Sequence, residues 1–232
     1  MIFEKRAASK NSISSSNFFF VLICGWAADH RIFGSLNSKV NYLLSGDFSH
    51  STFEGSLLKA IKDNNITKIS LTGFSLGGFA AAEFASKHPD LIEELVLIGV
   101  RKKYKKEELN QLKELLKRNK KAYLYKFYTR CFSKKEHAGK FKQNLFRDYC
   151  EKFNLNYLLE TLDYLGRAEI KPELLGRVKK IKIIHGERDA IAPIQEAAAI
   201  GESLPQAEFI TLRNTGHIPY RKRLENLWLT KK

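Results

Sequence analysis

Cysteine is scarce in this chain: Cys24, Cys131 and Cys150 are the only three in 232 residues. Three scattered thiols exclude a disulfide framework, and no Cys/His spacing reads as a zinc site. Long apolar runs are missing too. None approaches the roughly 18 residues that a membrane-spanning helix needs, so no membrane span is expected. Acidic residues are in short supply, 25 Asp+Glu against 40 Lys+Arg, which leaves a formal net charge of +15. Hydrophobic residues, by contrast, make up 44% of the chain. That excludes a disordered chain or a fibre, and the length suits one domain or one domain with an insertion.

The cysteine usage points to a reducing, cytoplasmic setting. The N-terminus loosely imitates a secretory signal, because Lys5, Arg6 and Lys10 precede the apolar run Phe18-Phe19-Phe20-Val21-Leu22-Ile23-Cys24. The run lies late, a Ser/Asn-rich stretch separates it from the charges, and cleavage would remove residues given a role below.

Short β-branched or aromatic runs alternate with helical patterns, which predicts a parallel sheet covered by helices. Strands are expected over 18–24, 40–44, 66–72, 94–98, 180–185 and 207–212. Helices are expected over 29–36, from Ser51, over 77–87, over about 193–203 and from about Arg221. Ser51 and Glu54 have the spacing of a capping box. Between Arg101 and about Ala168 only helical periodicity remains, carried by Leu109, Leu112, Leu115, Leu116, Leu124, Phe127, Leu155, Leu158, Leu159 and Leu162. The expected organisation is a core of residues 1–100 and 169–232 with an α-helical insertion over 101–168. Residues 101–152 contain 18 Lys+Arg and 6 Asp+Glu, a balance of +12 that leaves only +3 elsewhere.

The most specific motif is Gly73-Phe74-Ser75-Leu76-Gly77, a G-x-S-x-G between an expected strand and an expected helix. This is the pattern of a nucleophile elbow, a tight turn that holds serine in a strained conformation while small neighbours let the backbone pass. A serine hydroxyl is a poor nucleophile at neutral pH and needs a base and a group to orient that base. Asp189, in the loop after the strand ending near His185, and His217, just after the last strand, supply both. Singly, Asp189 reads as a loop carboxylate and His217 as a turn residue. With an elbow serine, the order Ser75, Asp189, His217 is that of the α/β-hydrolase fold. His30, His50, His88, His137 and His185 do not follow the last strand, and His185 is expected to pack within one. The backbone N–H groups of Leu76 and of Trp26, in the loop Cys24-Gly25-Trp26-Ala27, are candidate donors to an oxyanion. The Trp26 indole is a candidate pocket wall, with plain core packing as the alternative.

These features resemble the α/β-hydrolase superfamily along almost the whole chain, through the elbow, the G-x-x-D loop of Gly186-Glu187-Arg188-Asp189 and Gly216-His217-Ile218-Pro219. Within it, the Gly-Trp loop, the Gly-Phe-Ser-Leu-Gly-Gly elbow and the basic helical insertion are most similar to pimeloyl-[acyl-carrier protein] methyl ester esterases of biotin synthesis. The resemblance implies a mostly parallel sheet flanked by helices with an inserted helical lid, and a serine esterase of carboxylic esters that needs no metal or cofactor. It also implies Ser75, Asp189 and His217 as the catalytic residues and Trp26 and Leu76 as substrate-binding residues, and Phe127 in the helical insertion is a further substrate-binding candidate. The pattern departs from the family in two places. One or both opening strands are shortened or absent before Phe18, and the Gly-rich loop after the second recognised strand is reduced to Ser45-Gly46-Asp47-Phe48-Ser49.

The family's substrate rides on an acidic carrier protein, and a strongly basic lid concentrates anionic partners. Lys102, Lys103, Lys117, Arg118, Lys121, Lys126 and Arg130 are the candidate contacts. A nucleic-acid partner would use the same charge but leaves the elbow unexplained, and no binding motif for one is present. Other readings are a generic carboxylesterase or thioesterase with an incidentally basic lid, and a non-catalytic binding module on a hydrolase fold.

Overall fold

The structure, a computed structural model, describes residues 3–8, 18–33, 36 and 39–219. Within them lie seven strands: β1 Phe3–Arg6, β2 Phe18–Ile23, β3 Tyr42–Ser45, β4 Lys68–Phe74, β5 Ile92–Ile98, β6 Ile181–Gly186 and β7 Ala207–Leu212. They form one sheet in the order β1-β3-β2-β4-β5-β6-β7. Only β1 runs antiparallel, pairing Phe3 with Ser45 and Arg6 with Tyr42. A parallel sheet covered on both faces must be apolar on both, and Val21, Leu71, Leu95, Leu97 and Ile183 are accordingly fully buried.

Eight α-helices are described: α1 His50–Asp63, α2 Leu76–Lys87, α3 Lys106–Arg118, α4 Lys120–Cys131, α5 Lys135–Phe141, α6 Arg147–Lys152, α7 Leu155–Leu165 and α8 Ile194–Glu202. A single π turn, Lys142–Phe146, links α5 to α6. Helices α3 to α7 all fall between β5 and β6. The chain leaves and re-enters the sheet layer side by side, where Lys103 and Glu169 form an antiparallel bridge and the Ile170 N–H donates to Lys102 O at 3.0 Å. No described helix is long and apolar enough to cross a membrane.

The parallel register aligns the strands' C-terminal ends. Ile23 pairs with Gly73, Phe74 with Ile98, and Ile98 with Ile184. The loops after β2, β4, β6 and β7 therefore emerge along one edge, the position at which sheets of this kind bind ligands. Those loops carry Trp26, Ser75, Asp189 and His217.

Three elements differ from the sequence reading. Strand β1 lies ahead of the first strand expected, on Phe-Glu-Lys-Arg, a charged edge stretch whose extended form comes from pairing with β3. The helix expected over 29–36 is a single 3-10 turn, His30–Phe33. Helix α1 starts one residue early with Ser49 as its N-cap, so Ser51 lies within the first turn. Glu54 closes no capping box there: its carboxylate is taken by Lys87 at 2.7 Å and His88 at 2.8 Å. The helix expected from Arg221 lies outside the described residues.

Genuine side-chain caps occur instead in the helical segment, where Asn119 accepts from the Ala122 N–H and Asn154 from the Tyr157 N–H, both at 2.9 Å. Losing such a cap costs about 1 kcal/mol, a Tm shift of roughly 2–4 °C for a chain of this size. Asn154→Ala should show that loss in thermal unfolding, whereas Ser51→Ala should stay within about 0.5 kcal/mol of the parent. Equal losses would restore Ser51 as the cap.

Candidate active site

The turn after β4 is built on close backbone contact. A Cβ at Gly77 would lie 2.3 Å from Ile23 O, and one at Gly73 would lie 2.4 Å from Gly77 O, so neither position accommodates any other residue. The crossing forces Ser75 to φ 52° and ψ −115°, a region that side chains avoid. The Ser75 N–H donates to Ile98 O at 2.9 Å, which pins the turn to β5. Its hydroxyl is consequently held above the sheet edge.

His217 follows β7 and is buried, with Nε2 2.9 Å from Ser75 Oγ and Nδ1 2.7 Å from Asp189 Oδ2. The Asp189 side chain is fully enclosed, and its Oδ1 accepts the Ile191 and Ala192 N–H groups at 2.8 and 2.9 Å. Burial alone would push this carboxyl up. The charge of His217 and hydrogen bonds from His185, His217 and the Ala192 N–H outweigh it and hold the carboxyl far below the usual carboxylate range. Asp189 therefore stays ionised and accepts from Nδ1–H, which turns Nε2 of His217 toward Ser75 Oγ.

The chain folds a support around this arrangement that the sequence does not advertise. His185, buried in β6, places Nε2 2.9 Å from Ala192 O and 3.3 Å from Asp189 Oδ2, so it braces the carboxylate as well as packing the strand. Tyr104, in the Lys-rich run after β5, lies near Ser75 and carries the Arg101 guanidinium 4.6 Å over its ring. Its aromatic character inside that run is the only sequence signal that marks it. Arg101 is in turn held by Glu196 at 2.7 and 3.0 Å.

Trp26 and Phe127 meet edge to face with ring centroids 4.9 Å apart, and both line a narrow cavity of about 10 Å³ over Ser75, together with Ala28, Ile32, Cys131 and Ile218. The Leu76 side chain is buried in the core away from that cavity, so only its backbone faces the serine turn. Neither the Leu76 N–H nor the Trp26 N–H has a hydrogen-bond partner among the described residues. Both residues are buried, and unpaired buried N–H groups are rare. The seven candidate partner cations are all exposed. Lys103 pairs with Glu169, Lys117 with Glu114, and Arg130 donates to Ala190 O at 2.9 Å. Lys102, Arg118, Lys121 and Lys126 have no ion pair among the described residues.

The loop bearing Trp26 ends on a second buried carboxylate. Asp29 accepts from Arg31 Nη2 and Lys152 Nζ, each at 3.0 Å, and from the Tyr149 hydroxyl at 2.9 Å. Burial would raise its carboxyl, but those hydrogen bonds and the Lys152 charge bring it down to about 2.

A seven-stranded, largely parallel sheet with a strained serine at a strand-to-helix elbow, bonded to a histidine after the last strand, defines a serine hydrolase of the α/β-hydrolase fold. The chain belongs to the Hydrolase_4 family, described as serine aminopeptidase, S33, whose profile matches residues 26–218. It is 26% identical over 162 residues to a pimeloyl-[acyl-carrier protein] methyl ester esterase of Nitrosospira multiformis, a match spanning 65% of this chain and 62% of that protein. It is 22% identical over 200 residues to the AB hydrolase superfamily protein YisY of Bacillus subtilis, covering 78% of this chain and 71% of that one. An esterase from Exiguobacterium antarcticum superposes with a TM-score of 0.80 at 18% identity, over 97% of this chain and 91% of its own.

Because the folded Asp29 carboxyl titrates below the unfolded value of about 3.9, it stabilises the fold above that pH, and the contribution is lost as pH falls toward 2. Urea unfolding of the parent and Asp29→Asn should show a stability gap that is full above about pH 4 and closes on acidification. A gap independent of pH would remove the ionised carboxylate as its cause.

Proposed function

We propose that this chain is a serine esterase acting on carboxylic esters, with pimeloyl-[acyl-carrier protein] methyl ester of biotin synthesis as its substrate. The observation that carries the esterase reading is the unbroken hydrogen-bond chain from Asp189 through His217 to a serine at a strained elbow. In this mechanism Ser75 Oγ attacks the ester carbonyl while His217 Nε2 takes the hydroxyl proton. The resulting oxyanion accepts from the Trp26 and Leu76 N–H groups, whose lack of partners among the described residues suits that role. His217 returns the proton to the departing alcohol, methanol for a methyl ester, and an acyl-Ser75 remains. Water then gives a proton to His217 and attacks the acyl carbon, and collapse releases the acid and restores Ser75. Asp189 keeps Nδ1 protonated and stabilises the transient imidazolium.

In this reading α3 to α7 act as a lid over residues 101–168, on a core formed by residues 1–100 and 169–232. Trp26 and Phe127 wall the acyl pocket, which at about 10 Å³ holds no acyl chain until these side chains or the lid shift. The distant similarity to the Nitrosospira enzyme and the charge of the helical segment support a carrier-bound substrate. An acidic carrier would be drawn to a field of +12 over 52 residues. A cytoplasmic setting belongs to the same reading and accords with three free cysteines.

Ser75→Ala should lower hydrolysis of p-nitrophenyl esters by roughly three orders of magnitude or more and abolish labelling by a fluorophosphonate, with the fold retained. Near-normal turnover would end the serine-esterase reading. An aminoacyl p-nitroanilide assayed beside the esters tests the amide chemistry that the family's description names; preference for the anilide would replace ester with amide.

The carrier is tested separately. Exposed charge pairs are each worth only about 0.2–1 kcal/mol, so Lys102, Arg118, Lys121 and Lys126 are best reversed to Glu together. KM for the carrier-bound ester should rise, and its turnover should fall with ionic strength, while a small neutral ester is unaffected. Identical responses for both substrates would leave a generic carboxylesterase.

A further inference from the structure

Trp26 lies in a loop whose conformation is not self-sustaining. Ala27, the next residue, has φ 53°, a left-handed value that alanine adopts only under constraint. Within the loop a single long backbone bond, Ala28 N–H to Gly25 O at 3.3 Å, opposes relaxation. The loop's far end is also tied locally, with Asp29 accepting from the Ile32 N–H at 3.1 Å and from Arg31, and the restraints at Trp26 and Ala27 come from the helical segment. Tyr128 of α4 donates its hydroxyl to Ala27 O at 2.5 Å. Tyr149 of α6 donates to Asp29 Oδ1 at 2.9 Å, with the Asp29 N–H 3.4 Å from the same hydroxyl. The Trp26 indole N–H donates to Leu158 O of α7 at 3.1 Å. Both tyrosines are fully buried.

From this geometry we propose that Tyr128 and Tyr149 are positioning residues for the oxyanion site: they hold the peptide that follows Ala27 and the Asp29 end of the loop so that the Trp26 N–H faces Ser75. The proposal rests on the serine-esterase reading for its catalytic consequence. It makes the helical segment part of the catalytic geometry as well as a cover. A donor fixed in advance stabilises charge that develops only in the transition state, so its misplacement should lower kcat and spare substrate binding.

Tyr128→Phe and Tyr149→Phe each remove one hydroxyl and keep the ring. Tyr157→Phe serves as control, since the Tyr157 hydroxyl accepts the Phe48 N–H at 3.1 Å and so ties the same segment to a different loop. On p-nitrophenyl butyrate, kcat should fall about tenfold to a hundredfold in the first two variants, short of the 10²–10³ for outright removal of an oxyanion donor, with KM within about twofold. Affinity for a trifluoromethyl ketone, which mimics the tetrahedral adduct, should fall by the same factor as kcat/KM. Tyr157→Phe should change stability alone. Should Tyr128→Phe not fold, Tyr149→Phe decides. Unchanged kcat in the folded variants, or lower kcat with unchanged ketone affinity, would overturn the proposal. Parent enzyme and Ser75→Ala in the same assay judge the esterase reading by itself. Hydrogen exchange across residues 25–29 reads the restraint without any turnover: protection should drop in the two variants and hold in Tyr157→Phe, and equal protection in all three would refute it.

Discussion

The close crossing of α2 over β2 is the contact on which the site depends. With hydrogen in place of Cβ at Gly73 and Gly77, two backbones approach to a distance that no side chain survives. The turn between them is left with one shape, in which Ser75 takes a positive φ and α2 begins at Leu76. A helix's first N–H groups have no partner within it. One tight packing event therefore presents the hydroxyl, exposes a backbone donor beside it and sets the height at which His217 must arrive.

Two buried carboxylates organise what surrounds the turn, and both remain ionised because donors converge on them. Asp189 is enclosed by two histidines and two backbone N–H groups, and orients His217. Asp29 is enclosed by Arg31, Lys152 and Tyr149, and anchors the far end of the Trp26 loop. Low exposure raises the cost of leaving either unpaired and strengthens each hydrogen bond that is made. The groups that pair with Asp29 come largely from α6, about 120 residues away along the chain, so the helical segment and the loop after β2 are electrostatically one unit.

The same segment is sewn to the other side of the site. The Ile218 N–H donates to Cys131 O, Ser133 Oγ to Asn214 O, and Arg130 to Ala190 O, so the end of α4 touches the loops of both His217 and Asp189. Charge and contact are thus divided within the segment: Arg130 serves the fold, whereas Lys102, Arg118, Lys121 and Lys126 project without partners among the described residues.

Much of this was written in local pattern. Apolar runs bounded by turn residues marked the parallel strands, since a strand buried on both faces must be apolar throughout. Gly-Phe-Ser-Leu-Gly marked the turn because only glycine permits it, and chain order alone put Asp189 and His217 after the right strands. Strand β1 carried no such mark, being a charged edge stretch made extended by its neighbour. Ser51 and Glu54 had the spacing of a cap, yet the carboxylate found Lys87 and His88 on a helix that no local pattern brings near. Likewise His185 read only as a residue packed in its strand, and Tyr128 and Tyr149 stood unmarked in the helical insertion. What distinguishes them is which hydroxyl or ring nitrogen meets which oxygen once the chain is folded. The sequence by itself determined the parallel strands, the serine turn and the residues that meet it, because those follow from backbone sterics and strand order. Only the tertiary structure decided what braces the aspartate, a matter of how one loop turns back on itself, and what holds the Trp26 loop, because those latter bonds join residues 101 to 132 positions apart and leave no periodic trace.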